Sequence, residues 1–74
     1  EPGRREPDIA KIYQSLDVAA TSALLDQYGV HYVYVSRLER DKYRLSAPMV
    51  AKFDKFMTRV FEQGDVIIFA RVSQ

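Results

Sequence analysis

Apolar residues recur at helical spacing in the first third of the chain. Those that follow Asp8 are Ile9, Ile12, Tyr13 and Leu16. Asp8 is placed to cap the first turn of a short helix, and Asp17 is placed to cap a second helix that ends near Tyr28. Gly29 follows where a left-handed residue commonly terminates a helix. Two helices are therefore predicted before residue 30.

Residues 30 to 35 change to the alternation of a β-strand, in which successive side chains point to opposite faces. One face carries Val30, Tyr32 and Tyr34. The other face carries His31, Val33 and Val35. Because both sets are largely apolar, we expect both faces of this strand to be mostly covered.

A third helix is predicted from residue 46 to residue 57. Ser46 is placed to cap it, and Pro48 lies in its first turn, where a missing N–H costs little. Its apolar stripe consists of Met49, Val50, Phe53, Phe56 and Met57.

The last segment predicts a β-hairpin with the two-residue turn Gln63-Gly64, since glycine adopts the positive φ that such turns require. With that turn, the facing pairs across the hairpin are Phe61 with Val66 and Val60 with Ile67.

The predicted fold is a small α/β (α+β) domain with the element order α-α-β-α-β-β. It has two to three helices and a three-stranded sheet that ends in the hairpin. Strand 66–72 is the longest and most apolar, so we place it in the centre, with strand 30–35 antiparallel to it and a right-handed crossover between the outer strands. Helices cover one face of the sheet. We expect an uncovered face with Phe69, Ile67, Val33 and Val35 on it.

The length of 74 residues allows one domain, which we assign to residues 8–74. Residues 1–7, EPGRREP, hold two of the three prolines and are predicted to form a flexible linker. The chain begins without methionine, which indicates a piece of a longer protein.

Composition excludes several classes of function. The absence of cysteine excludes a disulfide framework and a thiolate zinc site. A net charge of +1 gives no support to a basic nucleic-acid binder. The longest apolar runs, such as residues 66–70, fall far short of the ~20 residues that a membrane-spanning helix needs.

No catalytic, cofactor-binding or metal-binding residue is assigned. His31 is the only histidine, and its strand neighbours are apolar, so we give it a structural or surface role. The carboxylates Glu39 and Asp41, and Glu62 and Asp65, have no apolar surroundings that would raise a pKa, and we interpret them as solvated charges. The three glycines are isolated, so no glycine-rich phosphate loop exists.

Residues 37–44, which we expect to form a polar loop, are the one candidate recognition segment. Its candidate residues are Arg37, Glu39, Arg40 and Tyr43. Arginine forks match phosphate or carboxylate oxygens, and a neighbouring tyrosine can stack on a sugar or a base. The acidic residues within the same run weaken this interpretation, because they neutralise the positive charge locally. The tyrosines of strand 30–35 are interpreted as core packing.

The runs YGVHYVYV and LER give the sequence a family resemblance. Together with residues 24–28, Tyr43, residues 52–53 and residues 66–72, they resemble the C-terminal tail of the YYY family of uncharacterised polytopic membrane proteins of bacteria and archaea. The resemblance covers about residues 8–72. That family is similar to multi-spanning glycosyltransferases that use lipid-linked sugars.

The resemblance implies a non-catalytic, extracytoplasmic domain at the C-terminus of a membrane protein. The catalytic carboxylates of such enzymes lie in loops between membrane helices that this chain lacks. The implied partners are the membrane-spanning part of the same polypeptide and a lipid-linked sugar substrate, toward which Arg37, Arg40 and Tyr43 would face.

Two other hypotheses stay open. In the first, the chain is a free-standing module whose apolar sheet face binds a protein or forms a weak homodimer. A nucleic-acid binder that uses residues 37–44 is the least favoured reading, because the charge pattern gives it little support.

Overall fold

The computed structural model describes the backbone of residues 2–71 and the side chains of residues 7–71. The helices are α1 (Pro2–Gln14), α2 (Val18–Gln27), α3 (Arg37–Tyr43), α4 (Ala47–Ala51) and a 3-10 helix (Lys52–Lys55). The strands are β1 (Tyr32–Val35), β2 (Met57–Gln63) and β3 (Val66–Arg71). The predicted α+β class is confirmed, with one more α-helix than the predicted order, which becomes α-α-β-α-α-β-β.

Helix α1 begins before the predicted position at Asp8. Residues 2–7, which we expected to form a flexible linker, are helical. The helix continues through Pro7, although proline has no N–H for the bond to the carbonyl of residue 3. Asp8 therefore lies inside the helix and caps nothing; its carboxylate accepts a hydrogen bond from the Tyr28 hydroxyl.

Helix α2 has the predicted ends. The Asp17 carboxylate accepts a hydrogen bond from the Ala20 N–H at 3.1 Å, which satisfies a donor that the helix itself leaves free. Gly29, with φ of +63°, lies just beyond the helix in the left-handed region. Thr21 and Leu25 are the buried residues of this helix.

The predicted polar loop at residues 37–44 is instead the helix α3. Ser36 caps it, with its Oγ accepting from the Leu38 N–H at 3.2 Å. The Glu39 carboxylate accepts in return from the Ser36 N–H at 2.8 Å and from the Ser36 hydroxyl. This is a capping box, and its Ser-x-x-Glu spacing is the sequence signal that the loop prediction missed. Arg44, with φ of 52°, ends the helix.

The predicted helix over residues 46–57 is correct only in its first part. Ser46 and Pro48 occupy the predicted positions at the beginning of α4, but α4 ends at Ala51 and the 3-10 helix follows. Met57 already belongs to β2. The residues of the predicted apolar stripe therefore belong to three different elements. Their helical spacing did not show where one element ends and the next begins.

The hairpin turn lies one residue later than predicted, at residues 64–65. Gly64 has the expected positive φ, at +58°. Gln63 pairs with Val66 and Phe61 with Ile68, so both predicted facing pairs are wrong. The pairing is irregular between Arg59 and Phe61, which leaves a bulge at residue 60.

The strand order β1-β3-β2 is the predicted one, with β3 in the centre and both pairings antiparallel. The strands β1 and β2 are therefore parallel to each other without touching. Within the described residues β2 has seven residues and β3 has six, and residue 72 of the predicted central strand lies outside the described residues.

The core lies between the helices and one face of the sheet. Its buried members are Ile12, Leu25, Val33, Val35, Phe53, Met57, Ile67 and Phe69. The prediction that Val33, Val35, Ile67 and Phe69 occupy an uncovered face is therefore wrong, because these four residues face the helices. No helix in the described part of the chain is long and apolar enough to cross a membrane.

Candidate functional site

The four predicted recognition residues all lie on α3 but differ in their exposure to solvent. Arg37 is exposed at the beginning of α3. Glu39 is used in the capping box, and its hydrogen bond from the Ser36 side chain is the largest cause of its lowered pKa. Tyr43 is only 8% exposed. Its ring therefore offers little surface to a ligand in this structure, and ligand binding by residues 37–44 stays a prediction.

Tyr43 instead belongs to an aromatic contact between α1 and α3. Its ring stacks on the ring of Tyr13, with centroids 4.8 Å apart, and its carbonyl accepts a hydrogen bond from Gln14 at 2.8 Å. The Tyr13 hydroxyl donates to the Tyr34 carbonyl of β1 at 2.7 Å. Burial, followed by the nearby Glu39 and Tyr43, raises the pKa of Tyr13 to about 12. These contacts tie α1 to α3 and to the sheet.

Arg40 lies in an open cleft of about 480 Å³ between the region of α3 and α4 and strand β2. The cleft is lined by Arg40, Leu45, Ala47, Val50, Ala51 and Arg59, together with Ser46. The Arg40 guanidinium donates to the Asp65 carbonyl in the hairpin turn, which bridges α3 to the end of the sheet. Arg40 is the only predicted recognition residue that borders this cleft.

Arg59 forms the opposite wall and is held by two carboxylates. Its Nε and Nη2 donate to the two Asp54 oxygens at 2.9 and 2.8 Å, and its Nη1 donates to Glu62 at 3.0 Å. The hydrogen bonds to Asp54 and then to Glu62 raise the pKa of Arg59 above its usual range. The guanidinium carbon lies 5.5 Å from the centroid of the Phe69 ring. Arg59 is therefore fixed on the helix side of the sheet.

Lys52 was not predicted to have a structural role, because it occupies a core position although its side chain is charged. It is buried, and its ammonium donates to the carbonyls of Ile12, Tyr13 and Ser15 at the end of α1. These carbonyls have no partner within the helix, and a cation is favoured there by the helix dipole. Burial lowers the pKa of Lys52 to about 8. Its role is to join α1 to the 3-10 helix.

The second face of the sheet is not covered by the described part of the chain. We call it the open sheet face, and its members are Tyr32, Tyr34, Phe61, Val66 and Ile68. These residues share a face because partners directly opposite in an antiparallel pair point the same way. Tyr32 and Tyr34 are 57% and 56% exposed, and Phe61 is 44% exposed.

The described residues contain no group of three or more histidines and carboxylates that could hold a metal ion. His31 is exposed just before β1.

No protein-family model matches the chain, and no curated protein or solved structure compared with it matches either. Function must therefore be inferred from the residues of this chain.

Proposed function

We propose that this chain is a non-catalytic docking domain that packs, through its open sheet face, on a larger body of the same polypeptide. The resemblance stated above supports a membrane-spanning body and an extracytoplasmic position, where the domain would assist the binding of a lipid-linked sugar. The observation that carries the proposal is the exposure of Tyr32, Tyr34 and Phe61 on one side of the sheet.

The size of the open sheet face supports docking. Its three exposed aromatic side chains present roughly 300 Å² to solvent, if an aromatic residue has about 200 Å² to bury. The largest apolar patch of a typical monomer is ~300–600 Å² and is often functional. A stable interface buries ~800 Å² on each partner, so this patch is large enough for the apolar centre of one.

The small size of the domain points the same way. Its helices form a single layer over the three strands. A chain of this length buries only ~60% of the surface that it exposes when unfolded. The helices bury one face of the sheet only. A body packed on the open sheet face would bury the other face as well.

Neither edge of the sheet is open along its whole length. Arg71 N–H bonds to the His31 carbonyl at 2.9 Å, so the backbone groups of Tyr34 point away from β3. The Tyr13 hydroxyl occupies the Tyr34 carbonyl, which partly closes this edge. The bulge in β2 interrupts the other edge. We therefore propose contact through the face rather than strand addition at an edge.

The test uses the full-length gene product in its membranes. Phe61→Glu places a charge on the open sheet face and should release the domain, so that limited proteolysis removes it several times faster than from the wild type. Leu38→Glu is the matched control, because Leu38 is a large exposed side chain, at 77%, on α3. Equal proteolysis of both variants would refute docking through this face.

The membrane part of the proposal has its own test. The full-length sequence should contain several apolar segments of ~20 residues. Because the chain has no cysteine, Leu38→Cys can be introduced as a single label within it. An extracytoplasmic domain should react with a membrane-impermeant maleimide in intact cells, after other cysteines of the parent have been replaced. Labelling only after lysis would place the domain on the cytoplasmic side.

Self-association through the open sheet face is the second candidate. The same exposure of Tyr32, Tyr34 and Phe61 favours it. In sedimentation experiments, the 74-residue chain should form a dimer that Phe61→Glu abolishes and Leu38→Glu leaves intact. A chain that stays monomeric at roughly millimolar concentration would eliminate this candidate.

A further inference from the structure

We infer that the cleft between α3, α4 and β2 binds a small organic carboxylate, with its charged group against Arg40 and its apolar part against the apolar lining of the cleft. This inference does not rest on docking through the open sheet face, because the cleft lies on the opposite side of the sheet.

Arg40 supplies the charged contact. A guanidinium has five N–H donors, and that of Arg40 makes one hydrogen bond with the described part of the chain, to the Asp65 carbonyl. This bond holds the side chain between α3 and the hairpin turn, at the border of the cleft. The remaining donors form a planar fork that matches the two oxygens of a carboxylate.

Arg59 limits the charge of the ligand. Its Nε and both Nη atoms donate to Asp54 and Glu62, so its charge is already compensated by two carboxylates. The two arginines and these two carboxylates sum to zero. Arg40 alone can neutralise a monoanion, whereas a dianion such as phosphate would keep one uncompensated negative charge that Asp54 and Glu62 repel. A monoanion needs only the fork of Arg40, which acts at hydrogen-bond distance.

Apolar side chains form part of the cleft lining and can contact an apolar ligand body. Leu45, Ala47, Val50 and Ala51 line the cleft together with the two arginines and Ser46. The volume of the cleft, about 480 Å³, is within the ~300–1,000 Å³ of ligand pockets. Each methylene that is fully removed from water strengthens binding about fourfold, and an open cleft yields a part of that gain.

The test is a titration of the ¹⁵N-labelled 74-residue chain with sodium hexanoate, followed by amide chemical shifts. We expect saturable shifts confined to residue 40, residue 59 and residues 45–51 apart from Pro48, which has no amide N–H, with a dissociation constant in the millimolar range. Sodium acetate should bind about tenfold more weakly, because it lacks the apolar body. Sodium phosphate should produce no saturable shifts at these residues.

Three variants complete the test. Arg40→Gln should weaken hexanoate binding at least tenfold, whereas Arg37→Gln, on the same helix but outside the cleft, should bind as the wild type does. Ala47→Leu fills part of the cleft without changing Arg40 and should also weaken binding at least tenfold. Unchanged amide shifts in β1 and β3 would confirm that each variant is folded.

Three outcomes would overturn the inference. The first is hexanoate binding by Arg40→Gln and Ala47→Leu with the affinity of the wild type. The second is an equal response to sodium chloride at the same ionic strength, which would show general anion attraction. The third is hexanoate shifts on the open sheet face alone, which would show only apolar adsorption there.

Discussion

Lys52 offers the most direct test of how α1 is joined to the 3-10 helix. It is 2% exposed, and its ammonium bonds to three carbonyls at the end of α1. Burial lowers the pKa of Lys52 from 10.5 to about 8. The unfolded chain therefore binds more protons than the folded chain between pH 8 and pH 10.5, and the free energy of unfolding must rise with pH across this window.

The size of this rise follows from the pKa difference. A shift from 10.5 to about 8 corresponds to at most roughly 3.4 kcal/mol, at about 1.36 kcal/mol per pH unit. The three carbonyls favour the charged ammonium, and solvent at the end of α1 screens it. We therefore expect a gain of about 1–2 kcal/mol between pH 8 and pH 10.

Tyr13 acts in the opposite direction at higher pH. Its pKa is raised from 10.0 to about 12, so the stability that it contributes is fully present below pH 10 and is lost as pH rises through 12. The rise up to about pH 9 therefore comes from Lys52, and the loss at Tyr13 begins to oppose it near pH 10.

The assay is urea unfolding at pH 7, 8, 9 and 10, followed by far-UV circular dichroism. Tyrosine fluorescence is unsuitable because tyrosine ionises near pH 10 and the chain has no tryptophan. Lys52→Met keeps the length of the side chain and removes the charge, so the rise with pH should disappear. At pH 7 this variant should lose about 1–3 kcal/mol, because the three carbonyls lose their donor. Lys55→Met, at an exposed position of the same 3-10 helix, is the control.

Two results would refute this reasoning. One is a parallel rise of unfolding free energy in the wild type and in Lys52→Met between pH 8 and pH 10. The other is a higher stability of Lys52→Met at pH 7, which would mean that the cost of burying the ammonium exceeds the value of its hydrogen bonds.

Three further substitutions test α3. Tyr43→Ala should reduce the free energy of unfolding by about 3 kcal/mol, because it removes a buried aromatic ring. Arg37→Ala should change it by less than ~0.5 kcal/mol. Equal losses in urea unfolding of the two variants would contradict the burial of Tyr43. Ser36→Ala should reduce the free energy of unfolding by about 0.5–2 kcal/mol, because it removes the cap of α3. In thermal unfolding the midpoint of a domain of this size falls by ~4–8 °C for each kcal/mol lost. An unchanged midpoint for Ser36→Ala would favour the loop that we predicted for residues 37–44.

Local signals predicted the elements that depend on neighbouring residues alone. Asp17 and Gly29 mark the ends of α2 because a cap and a left-handed residue act within one turn of the helix. Ser36 and Glu39 carry an equally local signal for α3, so this helix was predictable from the sequence. The polar, charged composition of residues 37–44 led to the loop instead.

Features that depend on distant residues were not predictable in the same way. Both sets of alternating side chains in β1 are largely apolar, so the pattern does not tell whether Val33 or Tyr34 faces the helices. The choice depends on packing against Leu25 and Phe53, which belong to other elements. Lys52 likewise owes its burial to the carbonyls at the end of α1, about 40 residues earlier in the chain.

The sheet separates the two proposed binding surfaces. Phe61 points to the open sheet face, while Arg59, two residues away on the same strand, lies over Phe69 on the helix side. A body docked on the open sheet face would therefore leave the cleft at Arg40 accessible. The bulge at residue 60 is what allows this arrangement, since without it residues 59 and 61 would point to the same face of β2. The irregularity in β2 thus gives one short strand an apolar side chain for docking and a fixed guanidinium for the wall of the cleft.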